Sequence, residues 1–449
     1  MGKLFGTDGV RGVANEELTC NIAYRLGQAA ATVLTKQTNH RPRILIGKDT
    51  RISSDMLEAA VTAGICSVGG DVELLGVIPT PAVAYLVGRY HADAGVVISA
   101  SHNPFEHNGI KLFNGEGYKL SDALEEEIEA LMLGDASAIP LKTGAELGRY
   151  HRSADAVSDY VRHIYAVCNR SFEGWRIAFD CANGASSTTL PMLANLLGLE
   201  AMILSHEPDG VNINDNCGST HPEALGEFVR KNRCKAGFAF DGDADRMLCV
   251  DENGNLVDGD RIMAIFAKHM MKKGVLANHT LVCTTMSNLG LFKMCQQHGI
   301  QTAVTDVGDR YVLEEMLRGG YVLGGEASGH IIQSRFATTG DGQAAMVEML
   351  KIMAESGEKL SSLAAVMERF PQVMVNVRVA PEVKKSFRED ARVKRAIEAG
   401  EKELADSGRI IVRASGTEPL VRVMIEGENF DRINQLAVEI AEEIKNIGK

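Results

Sequence analysis

Between Arg43 and Ser99, short β-branched apolar runs alternate with stretches of helical periodicity. The alternation predicts strands at Arg43–Gly47, Val72–Leu75 and Gly95–Ser99, with helices at Asp55–Gly69 and Pro81–Tyr90 between them. It returns with strands at Arg176–Asp180, Met202–Leu204 and Gly237–Asp241 and helices at Thr188–Leu197 and Pro222–Arg230. A third round predicts strands at Leu281–Thr285, Thr302–Asp306 and Tyr321–Gly325, with helices at Leu289–His298 and Tyr311–Arg318. The pattern repeats while the residues do not. Beyond Phe370-Pro371 the character changes: strands at Val373–Val379, Ile410–Arg413 and Leu420–Glu426, one charged amphipathic helix at Lys384–Leu404, and a closing helix at Phe430–Ile447. The expected fold is α/β, three doubly wound α/β domains plus a C-terminal α+β domain, divided at 1–150, 151–255, 256–369 and 370–449.

Composition narrows the classes. At 449 residues and 45% hydrophobic content the chain can bury several cores. Nine scattered cysteines without a C-x-x-C point to reduced thiols rather than a disulfide framework or a zinc site. The first residues show no apolar signal region, and no apolar span is long enough to cross a bilayer, so a cytoplasmic location without membrane partners is expected. A net charge of −12 leaves no basic footprint for nucleic acid. An acidic protein that binds an anion must gather its cations in one place.

Four polar clusters carry candidate chemistry. Asp241-Gly242-Asp243-Ala244-Asp245-Arg246 follows the apolar run Ala236–Phe240, at the strand end where α/β proteins bind ligands. Three carboxylates this close need a cation, and an all-oxygen set suits Mg²⁺, Mn²⁺ or Ca²⁺. With Glu252 the spacing imitates an EF-hand loop, but Arg246 stands where that loop needs glycine. Ser99-Ala100-Ser101-His102-Asn103-Pro104 presents a hydroxyl past a buried strand without a G-x-S-x-G elbow. Gly324-Gly325-Glu326-Ala327-Ser328-Gly329-His330 brings a carboxylate, a hydroxyl and an imidazole into one loop, donors and acceptors fit to read a polyol. Arg413-Ala414-Ser415-Gly416-Thr417-Glu418-Pro419 with Arg422 offers guanidinium forks, hydroxyls and backbone N–H groups to an anion, without a P-loop signature. Taken singly, each is also an ordinary polar turn.

In order and over the whole chain, these segments resemble the α-D-phosphohexomutase superfamily, with its loops S-A-S-H-N-P, D-G-D-x-D-R, G-E-x-S-G-H and R-x-S-G-T-E-P. Phe5–Gly12, Met286–Gly290, Val307–Tyr311, Thr338–Gly342 and Ala327 are similar to its amino-sugar branch; Ala244 stands where many members carry glycine. The resemblance implies four domains around a central cleft and interconversion of glucosamine 6-phosphate and glucosamine 1-phosphate through glucosamine 1,6-bisphosphate, with glucose or mannose phosphates as the alternative substrates. It implies a phosphoserine at Ser101, one Mg²⁺ per chain on Ser101, Asp241, Asp243 and Asp245, and catalytic roles for Arg11, His102, Lys111 and His330. Lys111 and His330 are its candidate bases, and His102 positions Ser101. Arg246, Gly308, Asp309, Glu326, Ser328, Arg413, Ser415, Gly416, Thr417 and Arg422 would bind the phosphosugar. A hinge near Phe370-Pro371 would close over the bisphosphate, while oligomeric state is left open. Two readings from other classes remain: a phosphatase using one of the three aspartates as nucleophile, and a non-catalytic binding protein.

Overall fold

A computed structural model describes residues 4–6, 8–36, 38–135, 139–415 and 418–447. Its contacts divide the chain into two units, Met1–Met286 with Gly299–Val366, and Ser287–His298 with Met367–Lys449.

The larger unit carries three sheets. In the seven-stranded first sheet, Arg43–Lys48 lies between Asp71–Val77 and Ala94–Ile98, all parallel. His107–Asn114 and then Gly9–Val13 extend it antiparallel. Ile44, Ile46, Val72, Val96 and Ile98 pack with Leu26, Leu57, Val61 and Ile65 from the covering helices Cys20–Leu34 and Ile52–Ser67. The second sheet runs Glu200–Leu204, Arg176–Asp180, Ala236–Phe240, Met247–Asp251, Leu256–Val257. Every residue of Ala236–Phe240 is buried, as its unbroken apolar run requires of a strand covered on both faces. The third sheet runs Gln301–Thr305, Thr280–Thr284, Leu323–Gly325, Ile331–Gln333.

The three α/β layers agree with the sequence pattern, but the sheets are mixed. Each key loop is followed by a returning antiparallel strand that the periodicity did not reveal: His107–Asn114, Met247–Asp251 and Ile331–Gln333. The first carries a buried lysine, Lys111, inside its apolar run, and the other two return directly after their loops, where strand–helix alternation leads a helix to be expected.

The smaller unit holds a three-stranded antiparallel sheet, Gln372–Arg378, Leu420–Gly427 and Gly408–Ala414. Val377, Val421, Val423 and Ile425 pack with Val393, Leu404, Ile433, Leu436 and Ile440 of helices Ala391–Leu404 and Phe430–Lys445. The single helix expected at Lys384–Leu404 is broken. Pro381–Ser386 is one helix, and a second starts at Ala391, where the extended Asp390 accepts from the N–H of Arg392 at 2.8 Å and of Val393 at 3.3 Å. Helix Leu289–Gln297 joins this unit through the fully buried Glu426, which accepts from Leu289 N at 2.9 Å, Asn288 Nδ2 at 3.1 Å and Arg409 Nε at 2.6 Å. Among the described residues no cysteine forms a disulfide, and no helix is long and apolar enough to cross a membrane.

Candidate active site

Ser101 and the three aspartates, 140 residues apart in sequence, meet in the larger unit. Ser101 lies just past strand Ala94–Ile98, and the acidic loop just past Ala236–Phe240. The Ser101 hydroxyl donates to Asp241 Oδ2 at 2.6 Å. Its other neighbour is His102 Nδ1 at 3.2 Å, and that nitrogen also receives Arg246 Nη1 at 3.1 Å. Burial, then the positive Arg246 and Arg11, push the His102 imidazole down to about 4. With its Nδ1 already taken by a guanidinium, His102 is a neutral acceptor.

Asp241, Asp243 and Asp245 are all buried, and one oxygen from each lies within 4.8 Å of the others. Asp243 Oδ1 and Asp245 Oδ1 are buried without a hydrogen-bond donor. Burial and repulsion from Asp245 and Asp243 drive the Asp241 carboxyl well above the usual range. Burial would do the same to Asp245, but Lys111, His330 and Arg246 hold it well below. Neighbouring acids split in this way, two of them with an unpartnered buried oxygen, form a donor set that fits a hard divalent ion.

Around the triplet runs a ring of basic and acidic side chains closed by an imidazole. Lys111 Nζ lies 2.8 Å from Asp243, 3.0 Å from Asp8 and 3.6 Å from Asp245. Asp8 also binds Lys119 and Arg11; Lys119 passes to Asp309, and Asp309 lies 3.6 Å from His330 Nε2. His330 Nδ1 returns to Asp245 at 3.6 Å. Burial opposes the charge on Lys111, yet Asp243, Asp8 and Asp245 together raise its pKa above the ordinary lysine value. It is a fixed cation. His330 is likewise opposed by burial and raised by Asp245 and Asp309, while the Gly340 N–H donating to its Nε2 at 3.1 Å favours the neutral ring.

The predicted polyol loop is a hairpin between Leu323–Gly325 and Ile331–Gln333. Glu326 is half-buried with Oε1 accepting from Gly308 N at 3.0 Å, and Ser328 is exposed. Thus Arg11, Ser101, His102, Lys111, Asp241, Asp243, Asp245, Arg246, Gly308, Asp309, Glu326, Ser328 and His330 share the larger unit. Arg413, Ser415 and Arg422 lie in the smaller one. Gly416 and Thr417 lie outside the described residues. Arg413 and Arg422 are directly opposite on paired strands, an arrangement that is repulsive unless negative charge sits nearby, as Glu418 does for Arg422 at 2.7 Å.

Sequence reasoning missed Lys119, Thr80, Arg51 and Asn214 and gave Asp8 no role of its own. Thr80 donates its hydroxyl to Asp243 Oδ2 and its N–H to Asp243 O at 3.0 Å. A signal existed for Arg51. Asp49-Thr50-Arg51 caps strand Arg43–Lys48 at the same sheet edge as the serine loop. Lys119 and Asn214 carry none.

Fold and site together define a phosphosugar-mutase class of protein, and the chain belongs to the phosphoglucomutase/phosphomannomutase family. Its alpha/beta/alpha domain I matches residues 2–138, domain II 158–254, domain III 258–370 and the C-terminal domain 374–443. More particularly, the chain is 54% identical over 445 residues, 99% of each chain, to the phosphoglucosamine mutase of Acetivibrio thermocellus. Among solved structures it is similar to a phosphoglucomutase/phosphomannomutase family protein from Burkholderia thailandensis, with a TM-score of 0.82 and 22% identity over 98% of this chain and 96% of that one. It also shares its fold with Aspergillus fumigatus N-acetylphosphoglucosamine mutase in complex with GlcNAc-6P and magnesium, with a TM-score of 0.71 and 19% identity over 100% of this chain and 97% of that one.

Proposed function

We propose that this chain is a phosphoglucosamine mutase, interconverting glucosamine 6-phosphate and glucosamine 1-phosphate with Ser101 as phosphoryl carrier. The observation that carries the reading is the 2.6 Å bond from the Ser101 hydroxyl to Asp241, which puts an alcohol at the edge of a three-carboxylate cage. The full-length likeness to phosphoglucosamine mutases supports the amino sugar as substrate.

In this scheme a phosphorylated Ser101 meets the free hydroxyl of the monophosphate. The serine O–P bond breaks as the sugar O–P bond forms, the sugar hydroxyl gives up its proton, the Ser101 oxygen takes one up, and glucosamine 1,6-bisphosphate results. After the intermediate turns over, Ser101 takes back the other phosphoryl group. Phosphoserine carries about −1.5 to −2 charge beside three aspartates. Asp241, Asp243 and Asp245 would hold a Mg²⁺ there, whose charge, when bound, offsets that repulsion. Lys111, held protonated by its three partners, supplies a fixed positive charge rather than taking a proton. His330, whose Nε2 accepts from Gly340 N–H, is the other candidate base. Arg11 and Arg246 add positive charge beside the serine. Glu326, Ser328, Gly308 and Asp309 would hold sugar hydroxyls. Arg413, Ser415, Gly416, Thr417 and Arg422 would hold the phosphate that is not reacting. Nine cysteines without a C-x-x-C motif support a cytoplasmic setting.

Ser101→Ala tests the scheme. It should bind substrate yet lose turnover by on the order of 10⁴-fold or more, and intact mass of the wild type should show one phosphate on Ser101. Substantial turnover by that variant refutes the phosphoserine carrier. Comparing rates on glucosamine, glucose and mannose phosphates separates the amino-sugar reading from its siblings, since a C2 amine carries charge and a C2 hydroxyl does not.

A further inference from the structure

Ser101 stands in the left-handed region, at φ +53. A serine leaves that conformation unless its surroundings over-determine it. The Ser101 hydroxyl turns to Asp241, and its peptide carbonyl is gripped by two side chains that do not bond the hydroxyl at all.

The first is Arg51, whose side chain is fully buried. Its Nη2 donates to Ser101 O at 2.9 Å and Asn103 O at 2.8 Å, and its Nη1 donates to Pro104 O. Asp49 aims the fork: Oδ2 accepts Arg51 Nε at 2.8 Å, while Oδ1 accepts Arg51 N and Ser54 Oγ, each at 3.0 Å. The second is Asn214, from the loop after Glu200–Leu204 of the second sheet. Its Nδ2 donates to the same two carbonyls, Ser101 O at 2.9 Å and Asn103 O at 3.0 Å. The loop bearing the alcohol is thus clamped from two different sheets. Gly242, inside the acidic loop, completes the contact: a Cβ there would lie 2.5 Å from Ser101 O and 2.9 Å from Asn214 Nδ2.

A buried arginine satisfying loop carbonyls could serve the fold of the first sheet alone. Asn214 argues for more. It belongs to the sheet that carries the aspartates and reaches across to the peptide of the reacting serine. We propose that Arg51 and Asn214 are positioning residues for phosphoryl transfer, locking the Ser101 backbone so that its oxygen returns to the same place against Asp241 in the free and phosphorylated forms. The proposal rests on Ser101 being the phosphoryl carrier.

Asn214→Gly is the informative variant. Glycine keeps the left-handed backbone of Asn214, φ +59, and removes both donors. Asn214→Asp keeps the shape and loses the donor, and Arg51→Lys keeps the charge but cannot span both carbonyls. Each is loaded with phosphate on Ser101 and mixed with glucosamine 1-phosphate and Mg²⁺. The single-turnover rate constant is then read, which does not depend on the fraction of folded protein, together with KM and the melting temperature. A loss on the order of 100-fold in the Asn214→Gly rate constant, with KM changed by less than about threefold, is expected. A folded Asn214→Gly enzyme that transfers at the wild-type rate overturns the proposal while leaving the mutase intact. A wild type that neither carries phosphate on Ser101 nor turns over brings down both.

Discussion

Two neighbouring small residues of the acidic loop do different work. Gly242 is needed for space: its φ is not positive, and the obstacle to a side chain is the Ser101 carbonyl 2.5 Å from where a Cβ would sit. Ala244 is at φ +56, the left-handed conformation for which glycine is the ordinary choice. Strain there costs about 1–2 kcal/mol, but the alanine methyl is fully buried and recovers about 0.8 kcal/mol. Ala244→Gly is therefore neutral to stabilising by about 1 kcal/mol. Gly242→Ala should instead push the serine loop off the aspartates and lower kcat by on the order of 100-fold. Steady-state rates at saturating Mg²⁺ check this, and wild-type turnover by Gly242→Ala would show that the two loops do not need that close approach.

At the level of elements, helix Gly342–Ser356 is tied to its surroundings by its N-cap. Asp341 accepts from Ala344 N at 2.9 Å and from the buried Tyr160 hydroxyl at 2.9 and 3.0 Å. Burial pushes its carboxyl from 3.8 up to about 6, against the pull of those hydrogen bonds. The folded state therefore binds more protons than the unfolded state between these values. The contribution is full below the unfolded pKa and is lost as pH rises through the folded one. Relative to Asp341→Asn, the wild type should lose on the order of 3 kcal/mol between about pH 4 and pH 7. Urea titrations of both proteins across that window measure it, and parallel stability curves would contradict the assignment.

For the molecule as a whole, 59 acidic against 47 basic residues give the charge of −12. Among the described residues one group, Asp241, Asp243 and Asp245, has the spacing to hold a metal. Binding of one Mg²⁺ per chain is the expected stoichiometry, with turnover lost to a chelator and restored by the ion. Asp243→Asn should weaken that binding at least about tenfold, and calorimetry with Mg²⁺ alone reads it without recourse to activity. An unchanged isotherm would remove the triplet from the scheme. The layered α/β architecture and the chemistry-bearing loops were legible in the chain because both are local: an apolar strand that must be buried, then a polar turn at its end. Met247–Asp251 escaped notice because strand–helix alternation leads a helix, not a returning strand, to be expected after the acidic loop, and the break at Asp390 because a cap outweighs a continuous charge pattern. The sequence by itself determined which groups stand at the strand ends. Only the tertiary structure decided which of them meet: the ring through Asp8, Lys119 and Asp309, the fixed charge of Lys111, and the grip of Arg51 and Asn214 on a left-handed serine. Those depend on burial and on contacts between separate segments of the chain, and neither is written in the spacing along it.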